Sequence, residues 1–133
     1  IEYLSTVVDV KQTYANTIVT TDGSRIDIDP QYAKKGYFHD FLYQESKHER
    51  VIKEKQVICG LTCMENDRLF VAENKKELQV GDQISYQKVG GYTMCLTPLF
   101  IRYLPNVYLE ENGEYKLIRE AWSAEEYSQK SLY

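Results

Sequence analysis

Alternation of apolar and polar residues dominates this chain, and it predicts strands. Thr6-Val7-Val8-Asp9-Val10 and Thr17-Ile18-Val19-Thr20 are the first two such runs. Asp22-Gly23 follows, and then Arg25-Ile26-Asp27-Ile28-Asp29 sets two isoleucines on one face and charges on the other. A strand, Asp-Gly and a strand together predict a hairpin. Residues 30–43 are rich in aromatic side chains and are broken by Gly36, which predicts a meander against the core, a site wall or a docking face. Residues 45–55 mix both charge signs, as a solvated surface does. Val57-Ile58-Cys59 predicts a buried strand, Leu69-Phe70-Val71-Ala72 a second, and residues 73–77 a polar turn. Residues 83–87 alternate with Ile84 and Tyr86 on one face, and Met94-Cys95-Leu96 is expected to continue the core.

Near the end, Val107-Tyr108-Leu109 and Tyr115-Lys116-Leu117-Ile118 flank Asn112-Gly113, the dipeptide suited to a tight primed turn. The tail carries a helix start. Ser123 is the expected N-cap, Glu126 its reciprocal capping-box partner, and Trp122 and Tyr127 have the spacing of a hydrophobic staple. The pattern as a whole predicts an all-β fold, an antiparallel β-barrel or sandwich of roughly eight strands with a short C-terminal helix.

Composition agrees with this. The 133 residues are about one domain's worth, and 43% are hydrophobic, enough for a core. Glycine and proline are sparse, and twelve tyrosines add to the β-forming residues. A net charge of −4 argues against nucleic acid as a partner, and no apolar run approaches membrane-spanning length. Three cysteines make neither an even set nor a dense scaffold, which points to a reducing cytoplasm. The start, Ile1-Glu2-Tyr3, carries no initiator Met and no signal peptide, and reads as a processed or excised chain.

Two stretches carry the candidate chemistry. Gly60-Leu61-Thr62-Cys63-Met64-Glu65-Asn66-Asp67 and Gly90-Gly91-Tyr92-Thr93 each lie where a predicted strand runs out. Glycine allows sharp turns and close approach of a ligand to the backbone, and a thiol, carboxylates and a phenol stand beside those turns. Taken alone, Cys63 reads as a structural thiol and Tyr92, one of twelve tyrosines, as a core-packing ring. Cys59 and Cys95 read as small buried residues. A zinc site from the three cysteines and His39 or His48 would need a second tight ligand pair, which is absent from the sequence.

In order and spacing, these stretches resemble the C-terminal β-domain of the pyridoxal-phosphate-dependent ornithine, diaminopimelate and arginine decarboxylases. Gly60-Leu61-Thr62-Cys63 followed by Asp67 is similar to that family's G-P-T-C-x-x-x-D, Leu78-Gln79-Val80-Gly81-Asp82 to its L-x-x-G-D, and Gly90-Gly91-Tyr92-Thr93 to its G-A-Y-T. Thr97-Pro98-Leu99-Phe100 lies where the family has S-x-x-F. The resemblance implies that residues 1–133 form one β-domain of a larger enzyme. An N-terminal (β/α)8 barrel, with the lysine that carries pyridoxal 5'-phosphate, would lie upstream, and the full enzyme would be a homodimer acting on a small-molecule amino-acid substrate. It implies that Cys63 crosses the dimer interface as proton donor and substrate contact, and that Tyr92 sits near the cofactor phosphate. Asp67 would support the thiol loop through backbone hydrogen bonds, and Gly91 would allow close approach.

Two positions depart from the family. The acidic residue that follows the thiol in the ornithine and diaminopimelate enzymes is Met64 here, so either Glu65 takes its role or the far end of the substrate differs. Ile101 stands where the family has Asn, with Arg102 beyond it as a candidate anion contact. An unusual or carrier-linked amino acid would suit these changes. The isolated chain is expected to be inactive. The rival expectation is a stand-alone β-barrel binding module without catalysis; a racemase relative using the same cofactor is a third.

Overall fold

The first strand decides how the sheet curls. In the computed structural model, which describes residues 1–132, β1 (Glu2–Gln12) is long enough to serve two neighbours. Its first half pairs antiparallel with β6 (Gln83–Gln87), setting Tyr3 opposite Tyr86. A bulge between Val7 and Asp9 then turns the strand, and its second half pairs antiparallel with β2 (Thr17–Thr21). A bulge adds a residue on one side and increases local twist and bend, so this strand passes the sheet around a corner.

Beyond β2 the sheet continues through β4 (Ile52–Cys59) and β5 (Arg68–Lys76); beyond β6 it ends at β3 (Phe38–Leu42), giving the order β3-β6-β1-β2-β4-β5. All pairings are antiparallel except β2 with β4, which is parallel and departs from the expected antiparallel pattern. The two outer strands meet through rings. Phe70 of β5 lies 3.9 Å from the His39 ring and 6.0 Å, stacked, from Phe41, both on β3. The sheet is therefore curled into a half-barrel whose outer strands touch through aromatic rings. Val7, Val19, Ile58, Leu69, Ile84 and Tyr86 fill the interior, with Leu78 and Val89 from the connecting loops.

The chain divides into two compact units, Ile1–Leu96 and the residues from Thr97 onward. In the second, β7 (Val107–Glu111) and β8 (Glu114–Arg119) form a two-stranded antiparallel ribbon. Asn112 and Gly113 have φ of 54° and 83°, the left-handed pair a type I′ turn needs. The helix α2 (Ala124–Ser128) begins at Ser123, whose capping box with Glu126 is complete. Eight strands and one C-terminal helix match the all-β expectation.

Four local expectations are overturned. Arg25–Ile28 is not a strand of a hairpin but a single helical turn, α1, with Ile26, Asp27 and Ile28 all buried. Ser24 and Asp27 form a capping box there, and the alternation of Ile26 and Ile28 imitated a strand. Residues 73–76 continue β5 instead of turning, because they pair with β4 as far as Ile52 opposite Lys76. Residues 45–55 are not wholly a solvated surface: Arg50 is buried on Asp82, and β4 starts at Ile52. Met94-Cys95-Leu96 does not extend the core. Cys95 and Leu96 are exposed, and Cys59 is only half-buried.

Candidate functional site

Buried carboxylates fix the loops of this sheet domain, two of them, Asp67 and Asp29, at the candidate site and a third, Asp82, away from it. Asp67 closes the thiol loop. Its Oδ2 accepts from the Thr62 backbone N–H (3.0 Å), the Thr62 hydroxyl (2.5 Å) and the Ser24 hydroxyl (3.0 Å), and its Oδ1 accepts from the Arg25 N–H (2.7 Å). The Gly60 N–H reaches the Asp67 carbonyl at 2.9 Å, and the Leu61 N–H donates to the Gly23 carbonyl at 3.0 Å. A Cβ at Gly60 would collide with the Asp67 carboxylate, which is why glycine opens this loop. One side chain thus joins the thiol loop to the start of α1. Cys63 itself projects into solvent, as does Glu65, while Met64 is half-buried.

Asp29, at the end of α1, organises the next segment. Its carboxylate pairs with Arg25 at 3.0 Å and accepts from the Ala33 and Lys34 N–H groups and from the Tyr37 hydroxyl. Burial and the nearby Asp29 charge push the Tyr37 phenol well above its ordinary pKa. The Lys34 ammonium folds back to donate to the Ile28 carbonyl at 2.6 Å. Tyr32 leans the other way. Its ring carries the Arg25 guanidinium at 4.8 Å, and its hydroxyl lies 3.8 Å from the Met64 sulfur. Segment 29–34 therefore touches the thiol loop on one side.

On its other side it meets the second glycine stretch. Residues 29–31, 33 and 34 line a shallow depression of about 250 Å³ with Gly91 and Tyr92. Tyr92 is 71% exposed and sits at φ 62°, a conformation uncommon for a residue with a Cβ. Nothing lies within 4 Å of a Cβ built at Gly91. Asp82, the third carboxylate, stands apart from this site. It holds Arg50 in a two-pronged pair (2.5 and 2.8 Å) and accepts from the Gln44 and Gln79 N–H groups, pinning the turn before β6.

Of the residues singled out in the sequence, Cys63, Glu65 and Asp67 share one loop, and Gly91 and Tyr92 share another, with segment 29–34 between them. Among the described residues, no three His, Cys, Asp or Glu side chains gather as a metal ion would require. No helix among them is long and apolar enough to cross a membrane. Sequence reasoning missed Ser24, Asp29 and Lys34, and it covered Tyr32 only as part of the aromatic stretch 30–43. Ser24 with Asp27 had a legible capping signature; Asp29 and Lys34 act through contacts within eight residues whose geometry depends on how the chain folds back after α1.

Comparison with known proteins identifies the fold. A diaminopimelate decarboxylase structure superposes on 96% of the chain with a TM-score of 0.79 at 20% identity, using 33% of its own length. The chain has the fold of a decarboxylase sheet domain. A carboxynorspermidine decarboxylase from Campylobacter jejuni, complexed with norspermidine, matches 98% of this sheet domain with a TM-score of 0.75 at 24% identity, over 38% of its own chain. In sequence, a carboxynorspermidine/carboxyspermidine decarboxylase from Herminiimonas arsenicoxydans is 37% identical over 65 residues. That match takes in 47% of this chain and 18% of the relative, so the chain spans only a minor part of that protein. No family model matches the sequence. The resemblance read from the glycine, thiol and tyrosine motifs and the likeness of fold point to the same decarboxylases.

Proposed function

We propose that this sheet domain serves a pyridoxal-phosphate-dependent amino-acid decarboxylase, giving Cys63 to an active site completed by a barrel domain and a second subunit. One observation carries the proposal. On a decarboxylase fold, the Cys63 loop and the Tyr92 loop both border the segment 29–34, by the Tyr32–Met64 contact and by the shared depression.

The cofactor would supply an electron sink for the departing carboxylate. The residues here fit one margin of its site. Tyr92 offers an exposed phenol at the rim of a depression, suited to a phosphate oxygen, beside an open Gly91. Cys63 stands in solvent on a loop fixed from below by Asp67, placed to hold and return a proton at its sulfur. Asp67 positions that loop through its hydrogen bonds.

The substrate we propose is a carboxylated polyamine, an α-amino acid with a long amine-bearing arm. Met64 is half-buried against Tyr32 and has no charge to offer an ammonium group, whereas Glu65 beside it is exposed and acidic. The 37% identity to a carboxynorspermidine/carboxyspermidine decarboxylase favours the same class. The test uses the full-length protein loaded with pyridoxal phosphate. Cys63→Ala should lower turnover about a hundredfold or misdirect protonation of the product, and Tyr92→Phe should weaken cofactor retention. Wild-type turnover with an unchanged product in Cys63→Ala would remove the thiol from the site.

A further inference from the structure

We infer that Lys34 is a cationic contact in the Tyr92 depression, so that the depression binds an oxyanion between an ammonium and a phenol. This deepens the reading of Tyr92 given above and rests on it for the identity of the oxyanion. The charge count across the depression supports it. Asp29 lines the same surface, but its carboxylate is already paired with Arg25 and accepts from two backbone N–H groups and a phenol. With the Asp29 carboxylate engaged by Arg25, Lys34 is the charged lining residue that holds no carboxylate. Its ammonium uses one proton on the Ile28 carbonyl at 2.6 Å, which holds the head group in place and leaves two donors. The side chain is half-buried, so its charge is screened less than that of a free surface lysine. Tyr92 lines the same depression and brings a phenol to it, and nothing lies within 4 Å of a Cβ built at Gly91.

A phosphate and a carboxylate share the chemistry this pair would recognise. The two sources are the phosphate of the cofactor and the carboxylate of the substrate. The experiment uses full-length protein with Lys34→Gln and Lys34→Arg, each checked for an unchanged melting temperature. Lys34→Arg keeps the charge and the donors. The first probe is inorganic phosphate, followed through the amide resonances of residues 29, 31–34 and 91–92. Wild type and Lys34→Arg should show saturable shifts at those amides, and Lys34→Gln should weaken binding about tenfold or more. This readout needs no turnover, so it stands even if the decarboxylase reading fails.

With pyridoxal phosphate and substrate, the two sources separate. If the cofactor phosphate occupies the site, Lys34→Gln raises the cofactor Kd and leaves KM unchanged at saturating cofactor. If the substrate carboxylate does, KM rises and the cofactor Kd stays. Either result, rescued by Lys34→Arg, supports the site. Equal phosphate binding, cofactor Kd and KM in wild type and Lys34→Gln overturn it.

Discussion

Replacing Asp67 by Asn changes one atom in the brace of the thiol loop, and the structure predicts the cost. In the folded protein, one carboxylate oxygen receives Thr62 N–H, Thr62 hydroxyl and Ser24 hydroxyl, and the other receives Arg25 N–H. All four groups donate. An amide has only one accepting oxygen. If that oxygen takes the Oδ2 place, its NH2 faces the Arg25 N–H, donor against donor. If it is flipped, three donors lose their acceptor. The first arrangement is cheaper. It strands one backbone N–H and replaces charge-assisted bonds by neutral ones, at about 2–4 kcal/mol. For a chain of this size that lowers the melting temperature by roughly 8–15 °C. Thermal unfolding followed by circular dichroism measures it. The variant should also loosen the thiol loop, so a neutral alkylating reagent should modify Cys63 at a changed rate while Cys95 keeps its own. A melting temperature within about 2 °C of wild type, with unchanged Cys63 alkylation, would show that Asp67 does not hold this loop.

Four further outcomes follow from other contacts. Gly60→Ala should displace the Asp67 carboxylate and destabilise as Asp67→Asn does, while Gly91→Ala, with open space around it, should leave the melting temperature unchanged. Arg50→Met leaves the Asp82 carboxylate buried without its cation and should cost about 3–5 kcal/mol in urea unfolding. Burial raises the pKa of the Tyr37 and Tyr86 phenols, so folding favours their neutral forms. That stability is complete below the ordinary phenol pKa of 10.0 and is lost as pH climbs above it; Tyr37→Phe should flatten the alkaline fall in melting temperature. At neutral pH a thiol reagent should label exposed Cys63 and Cys95 first, and Cys59, half-buried with its pKa pushed up by burial, only slowly until the protein unfolds.

Strands were legible because alternation survives in them: β1, β2, β6 and the final hairpin lie where the pattern put them, while β4 ends in the predicted Val57-Ile58-Cys59 run but starts earlier, at Ile52. Asn112-Gly113 and Ser123 with Glu126 were legible for a stronger reason, since their geometry is set within four residues. The turn α1 was lost to coincidence. Two isoleucines one residue apart look like a strand face, and only the Ser24–Asp27 box and the buried Asp27 reveal a helical turn. The parallel pairing of β2 with β4 has no local signature at all.

The candidate site divides in the same way. Glycine, thiol and tyrosine stood out because turn chemistry is written beside them. Asp29 and Lys34 did not, because their partners depend on how the chain after α1 folds back. The seam of His39, Phe41 and Phe70 joins residues far apart in sequence, and aromatic abundance alone could not reveal it.

The most direct measurement is the release of carbon dioxide by full-length protein, supplied with pyridoxal phosphate, from carboxynorspermidine alongside ornithine and diaminopimelate. The structure and its likenesses predict release from the carboxylated polyamine, little from the other two, and a steep fall in Cys63→Ala. No release from any of the three by folded, cofactor-saturated protein would contradict the decarboxylase reading and leave the sheet domain as a binding module.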